Sequence, residues 1–128
     1  MNDKLYQKWL AKAQDDFESA ILLLEKAYPP KLEIACYHCQ QCGEKALKTF
    51  CVYKSVEFPK THNLVIMCQL CMEIDNSFAS LIPSCSFLTP YSVQTRYPSA
   101  IEIIDEDAKV AITHAKKIFE FVKEKVKA

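Results

Sequence analysis

Four polar side chains of the sequence stand at a spacing that places them on one side of an α-helix. Gln41, Glu44, Lys45 and Lys48 occupy positions i, i+3, i+4 and i+7, and residues at this spacing share one helix face. The opposite face of the same stretch carries small and apolar residues, which indicates that it turns toward a core. We therefore expect the four side chains to form an exposed polar row, and this row is the first candidate for ligand chemistry.

Arg96 is the only arginine in a chain with fifteen lysines, and it precedes a Tyr-Pro pair in a stretch without helical periodicity. Its planar guanidinium can bind a carboxylate or a phosphate through two parallel hydrogen bonds, which an ammonium cannot do. One interpretation is structural, in which Arg96 pairs with an acid such as Glu44 or stacks on a tyrosine. The other is that Arg96 reaches the polar row and, with its lysines and His62, forms a cationic patch for phosphate.

The cysteines include two spaced groups, Cys36, Cys39 and Cys42 and then Cys68 and Cys71. Such spacings resemble those of zinc and iron–sulfur sites. On a continuous helix, however, the first and third cysteines lie about 120° apart around the axis and about 9 Å apart along it, so one metal ion would not easily collect all three. These three also lie on the small-residue face, where free cysteine packs as a small hydrophobe. We favour packing and expect no metal site, with metal or redox use as the alternative.

The composition limits the classes of function. Sixteen basic residues balance sixteen acidic ones, so any site for a polyanion has to be local. A chain with one glycine, Gly43, has no Gly-rich phosphate loop, nucleophile elbow or dinucleotide fingerprint. Enzymes that depend on those backbones are excluded, and we expect no cofactor.

The sequence also bears on location. Its N-terminal stretch is charged and lacks the apolar region of a signal peptide, and no apolar run approaches the length of a membrane span. Seven cysteines without an export signal are typical of reduced thiols. We expect a cytoplasmic protein.

Five stretches with apolar residues at three- or four-residue spacing would position these side chains, and they predict an all-α fold. They are 4–27, 32–54, 64–73, a stretch that opens at Asp75 and contains Pro83, and a last one that begins at Asp105. Three of them are long and two are short. We expect an up-down helical bundle of about five helices that forms a single domain over residues 1–128.

Several segments, in order, resemble the HEPN domain, the higher eukaryotes and prokaryotes nucleotide-binding domain. They are Asp16-Phe17, HCQQCGEKALKTF at 38–50, PKTHNL at 59–64, Leu88-Thr89, Arg96-Tyr97-Pro98 and the Ala-rich last helix. The resemblance covers nearly the whole chain. Its specific parts are Gln-x-x-Glu-Lys-Ala-x-Lys, Thr-His before the third helix, and Arg-Tyr-Pro, which indicates the branch of the family that contains this tripeptide.

The resemblance implies a bundle of about five helices that is frequently dimeric. It also implies a minimal nucleotidyltransferase as a partner, often encoded beside the HEPN protein in a toxin–antitoxin-like pair. Carried over residue by residue, it marks these ligand-binding side chains: Gln41, Glu44, Lys45, Lys48, His62, Arg96 and Tyr97.

Many HEPN domains are metal-independent ribonucleases that place a histidine shortly after an arginine. Here seventeen residues separate Arg96 from the next histidine, His114. This departure favours the non-catalytic branch, which binds a nucleotide or a partner. The leading hypothesis is a homodimer whose polar row and Arg96 contact a nucleotide, an RNA or a partner nucleotidyltransferase. One alternative is a ribonuclease with an atypical centre, in which His62 acts as general acid or base and Arg96 stabilises the phosphorane charge. Another is a structural partner protein whose polar row is an oligomer contact.

Overall fold

The computed structural model describes residues 3–93 and 102–127, and these residues form α-helices, short 3-10 helices and connections, with no strand. The α-helices are α1 (Asp3–Glu25), α2 (Leu32–Tyr53), α3 (Leu64–Ile74), α4 (Ile82–Leu88) and α5 (Asp105–Lys125). Two 3-10 helices, Asn76–Leu81 and Thr89–Ser92, flank α4. The predicted all-α bundle with three long and two short helices is confirmed.

Local sequence signals explain where these helices begin. Asn63 caps α3, because its Oδ1 accepts hydrogen bonds from the backbone N–H of Val65 at 2.9 Å and of Ile66 at 3.2 Å. Pro83 lies in the first turn of α4, where its missing N–H costs no helical hydrogen bond. The fourth predicted stretch therefore begins as a 3-10 helix and becomes α-helical only at Ile82.

Helix α2 is the centre of the bundle and packs against α1, α3, α4 and α5. Its buried Leu47 and Phe50 belong to the same hydrophobic core as small residues of the two long neighbours, among them Ala13 of α1 and Ala111 of α5. Alanines at these positions let the helix axes approach closely. The polar face of α2 is consequently fixed in register against α1, and the candidate site depends on this register.

All seven cysteines are free and buried, as the packing interpretation predicts. Burial raises the pKa of Cys36 to about 12 and also raises the pKa values of Cys39 and Cys42. Within 3–93 and 102–127, no group of three or more His, Cys, Asp or Glu side chains is arranged to hold a metal ion. None of the helices in the described ranges is long and apolar enough to cross a membrane.

Candidate functional site

Asp16 of α1 joins two side chains of α2. The residue is only 7% exposed, and its Oδ1 lies 2.7 Å from Nδ1 of His38. Its Oδ2 accepts a hydrogen bond from Nζ of Lys45 at 2.7 Å. One carboxylate therefore holds an imidazole and an ammonium, with both oxygens occupied.

Glu44 of α2 is a second nearly buried carboxylate of this kind, with 5% exposure. Its Oε2 accepts a hydrogen bond from Nζ of Lys48 at 2.9 Å. Its Oε1 lies 2.9 Å from Nδ1 of His62 and 3.1 Å from Nε2 of Gln40, which donates to it. Burial acts to raise the pKa of Glu44, but the hydrogen bonds from Lys48, His62 and Gln40 outweigh burial and lower that pKa.

Gln40 connects this carboxylate to the chain segment before α3. Its side chain is fully buried, and Nε2 also donates to the backbone carbonyl of His62 at 2.9 Å. Its Oε1 accepts a hydrogen bond from Nε2 of Gln41 at 2.8 Å. Gln40 thus fixes the backbone of His62 while Glu44 fixes its ring. Together with the Asp16 group these side chains make up what we call the polar network, which consists of two hydrogen-bonded groups on neighbouring parts of α2. The first group is Asp16, His38 and Lys45, and the second is Gln40, Gln41, Glu44, Lys48 and His62.

The expectation of an exposed polar row is wrong for Glu44, which is buried, and for its neighbours Gln41, Lys45 and Lys48, which are half-buried. Helix α1 packs across this side of α2. In addition, the ammonium of Lys48 lies over the rings of Trp9 and Phe58, with Nζ 5.9 Å and 5.5 Å from the two centroids. The side chains of the row are paired with residues of the bundle itself, and they lie where α1, α2 and the segment before α3 meet.

The structure brings five of the predicted site residues into this network: Gln41, Glu44, Lys45, Lys48 and His62. The predicted Arg96 and Tyr97 lie outside the described residues. Sequence reasoning missed Gln40 and did not assign a role to Asp16 or to its contact with His38. The available signal was spacing: Gln40 precedes Glu44 by four residues, and such pairs meet on a helix.

His114 occupies a different region of the bundle. Its Nδ1 lies 2.8 Å from Oγ of the buried Ser84, and its ring centroid is 4.6 Å from that of Phe87. Burial, together with Lys117, lowers the pKa of His114. These contacts indicate a structural role for His114.

The arrangement at His62 suits contact with a ligand. Its side chain is 61% exposed, although Nδ1 faces a carboxylate that is nearly buried. An ionised carboxylate only accepts hydrogen bonds, so Nδ1 carries a proton and the second ring nitrogen, Nε2, is the one left for solvent or a ligand. A histidine oriented in this way can accept or donate a proton, or bind a phosphate oxygen when protonated.

Known proteins are similar to this chain in sequence and in fold. The chain is 26% identical to a protein of Methanocaldococcus jannaschii named "Putative toxin MJ1304", over 98% of this chain and 91% of that protein. The structure of TT1696 from Thermus thermophilus matches with a TM-score of 0.83 and 26% identity, over 98% of this chain and 99% of that one. ST0689, described as an archaeal HEPN homologue, matches with a TM-score of 0.76 and 25% identity, over 95% and 98%. The HEPN domain family model matches residues 6–125, and the chain therefore belongs to the HEPN domain family.

Proposed function

We propose that this HEPN protein is a nucleotide- or RNA-binding module of a toxin–antitoxin-like pair. The observation that carries the proposal is the polar network, in which Asp16 and Glu44 each hold one histidine and one lysine at the edge of the bundle. Because the two carboxylates are nearly buried, a ligand from solvent meets the more exposed His62, His38 and Lys45 first. Preorganised N–H donors of this kind match the oxygens of a phosphate group.

Arg96 and Tyr97, the first two residues of the Arg-Tyr-Pro tripeptide, complete the proposed ligand set. A bidentate guanidinium beside His62 would supply the planar contact that the lysines cannot. The assignment rests on the family resemblance and on Arg96 being the only arginine of the chain.

RNA binding is tested with fluorescently labelled RNA, and mononucleotide binding is tested with a thermal-shift assay. A ligand that binds the folded state raises the melting temperature, and we expect this rise to be reduced in Arg96→Ala and in His62→Ala. His114→Gln, outside the polar network, is the matched control and should keep the binding. No stabilisation and no RNA binding in the wild-type chain would refute the proposed function.

A ribonuclease is the second candidate, because Glu44 orients His62 as a carboxylate orients a catalytic histidine. Incubation of structured RNA with the protein in EDTA tests it. Cleavage that is lost in His62→Ala and retained in His114→Gln supports a metal-independent ribonuclease with an atypical centre. Intact RNA with the wild-type protein removes this candidate.

The proposed partners are a second copy of the chain and a minimal nucleotidyltransferase. The toxin name of the Methanocaldococcus jannaschii relative and the family resemblance support the pair. Expression of the chain in a bacterial host should slow growth, and co-expression of a minimal nucleotidyltransferase encoded beside its gene should restore growth.

Light scattering tests the proposed homodimer. The wild-type chain should be dimeric. Lys45→Glu and Arg96→Glu should also be dimeric if these residues bind ligand and do not form the dimer contact.

A further inference from the structure

An open groove of about 400 Å³ runs along α1 beside the polar network. It is lined by Leu5, Lys8, Trp9, Lys12 and Lys45. The four α1 residues are spaced i, i+3, i+4 and i+7, so they form one stripe of the helix. Lys45 comes from α2 and is held by Asp16. The groove therefore continues directly into the polar network.

The charge of the groove is positive. Lys8 and Lys12 are exposed and form no ion pair with any side chain of residues 4–93 and 102–127. They lie one helical turn apart, which separates their Cα atoms by about 6 Å. Two ammonium groups at this interval, with Lys45 across the groove, fit an anion that repeats its charge along a chain.

Trp9 gives the groove an aromatic wall. The ring of Phe58 stands edge-on to the indole at a centroid distance of 6.2 Å and an interplanar angle of 89°. The ammonium of Lys48 also contacts the indole, 5.9 Å from its centroid. These contacts fix the orientation of Trp9, and a fixed aromatic ring among lysines is the arrangement on which unpaired bases stack.

We infer that this groove binds single-stranded RNA, with one base stacked on Trp9 and the neighbouring phosphates on Lys8 and Lys12. The inference rests on the proposed function and gives it a ligand class and a path, since Lys45 belongs to both the groove and the polar network. An acidic protein segment would also satisfy the lysines, but it would make no use of the indole plane. The combination of exposed cations and a fixed aromatic ring favours RNA.

Trp9 is the only tryptophan of the chain, so its fluorescence reports on the groove. A short single-stranded oligouridylate should quench this fluorescence in a saturable way. Inorganic polyphosphate, which has charge but no bases, should leave the emission nearly unchanged. A polyglutamate peptide that displaces the oligouridylate at equal charge concentration would overturn the inference, because binding would then depend on charge alone.

Charge-reversal variants locate the phosphate contacts. Lys8→Glu/Lys12→Glu should weaken the binding of a labelled oligouridylate by about tenfold or more and reduce the salt dependence of log Kd by about 1.4, the value for two lost phosphate contacts. Lys109→Glu/Lys116→Glu on α5 changes the net charge equally at exposed positions outside the groove. This control should bind within about threefold of the wild-type protein once its longer-range repulsion is screened by salt.

A second pair of variants tests stacking. Trp9→Leu should weaken oligouridylate binding by about tenfold, whereas Trp9→Phe, which keeps an aromatic ring, should retain most of the affinity. Circular dichroism and thermal melts establish that both variants are folded, and if Trp9→Leu unfolds, the fluorescence quench of the wild-type protein decides the question. RNA binding that leaves Trp9 emission unchanged and survives Lys8→Glu/Lys12→Glu would overturn this inference and leave the proposed function standing. The absence of any RNA or nucleotide binding would overturn both.

Discussion

Glu44 Oε1 lies 2.9 Å from Nδ1 of His62, so a nearly buried carboxylate in the middle of α2 orients an imidazole that solvent reaches. The same carboxylate accepts a hydrogen bond from Lys48 through its other oxygen. Glu44 is therefore both a nearly buried residue of the bundle and the partner of a side chain at its surface. A change at Glu44 should affect both the stability of the bundle and the behaviour of His62.

Glu44→Gln keeps the shape of the side chain and removes its charge. We expect the free energy of unfolding at neutral pH to fall by about 2 kcal/mol, because Lys48 loses a buried charged partner and the amide NH₂ group faces other donors. Urea denaturation measures this difference. Glu120→Gln on the exposed side of α5 is the matched control and should change stability little.

The same substitution has a pH signature. The pKa of Glu44 is lowered in the folded state, so its contribution to stability is complete above the ordinary value of 4.5 and is lost as the pH falls through the lowered pKa. The stability curves of wild type and Glu44→Gln should therefore converge on acidification. Curves that stay parallel would contradict the assigned role of Glu44.

Periodicity predicted the fold well because it is a local property of the sequence. The apolar positions of α2 that face the core, such as Leu47 and Phe50, are buried as expected. The later start of the fourth helix, at Ile82, has an equally local cause, because Pro83 fits the first turn of an α-helix and not its interior. The cap of α3 is local too, because Asn63 bonds to the backbone N–H groups two and three residues along the chain.

The pairing of the site was less predictable because it depends on how two helices meet. Asp16 contacts His38 and Lys45, which follow it by 22 and 29 residues, and only the packing register of α1 on α2 sets these contacts. Gln40 was overlooked because a glutamine on an apolar face is unexpected until its partners, Glu44 and the carbonyl of His62, are known. A helical wheel assigns a residue to a face but does not show what covers that face.

Gly43 stands in the interior of α2 at a close approach of three side chains. A Cβ added there would lie 3.0 Å from Cδ1 of Leu64, 3.3 Å from Cδ1 of Ile118 and 3.7 Å from Cδ1 of Leu88. Alanine is favoured over glycine in a helix by about 1 kcal/mol, but overpacking costs about 1–3 kcal/mol. Since Leu64 and Ile118 are fully buried, we expect Gly43→Ala to destabilise the protein by about 1 kcal/mol in urea denaturation.

A double variant checks that reason. Leu64→Ala removes the nearest methyl group, so Gly43→Ala should cost less in a Leu64→Ala background than in the wild-type background. A Gly43→Ala protein that is more stable than wild type would show that the leucine relaxes without cost and that helix propensity prevails.

The buried thiols should be unreactive in the folded protein. The thiolate is the reactive form of cysteine, and burial raises the pKa of Cys36 to about 12 and also raises the pKa values of Cys39 and Cys42. Hydrogen bonds with Cys71 and Cys85 lower the pKa values of Cys51 and Cys68, so burial alone protects these two from a thiol reagent. We expect 5,5′-dithiobis(2-nitrobenzoate) to label the native protein slowly and all seven cysteines rapidly in guanidinium. Stoichiometric zinc or iron that is released by Cys39→Ala would instead support the metal-binding alternative.

His114 should make the stability of the bundle sensitive to mildly acidic pH. Burial first, and then Lys117, lowers its pKa below the ordinary 6.5, so the folded state binds a proton less readily than the unfolded state. The contribution of His114 to the free energy of unfolding is therefore fully present above about pH 6.5 and is lost as the pH drops through the lowered pKa. Urea denaturation at about pH 7.5 and about pH 5.5 should detect this loss.

Two variants separate the causes of that loss. His114→Gln should remove its share of the pH dependence while lowering stability at neutral pH, because the ring contact with Phe87 is lost. Lys117→Gln should reduce the pH dependence only to a degree, since burial of the ring remains. If His114→Gln and the wild-type protein lost equal stability between the two pH values, another group would have to be responsible. Protonation of His114 would then not affect folding.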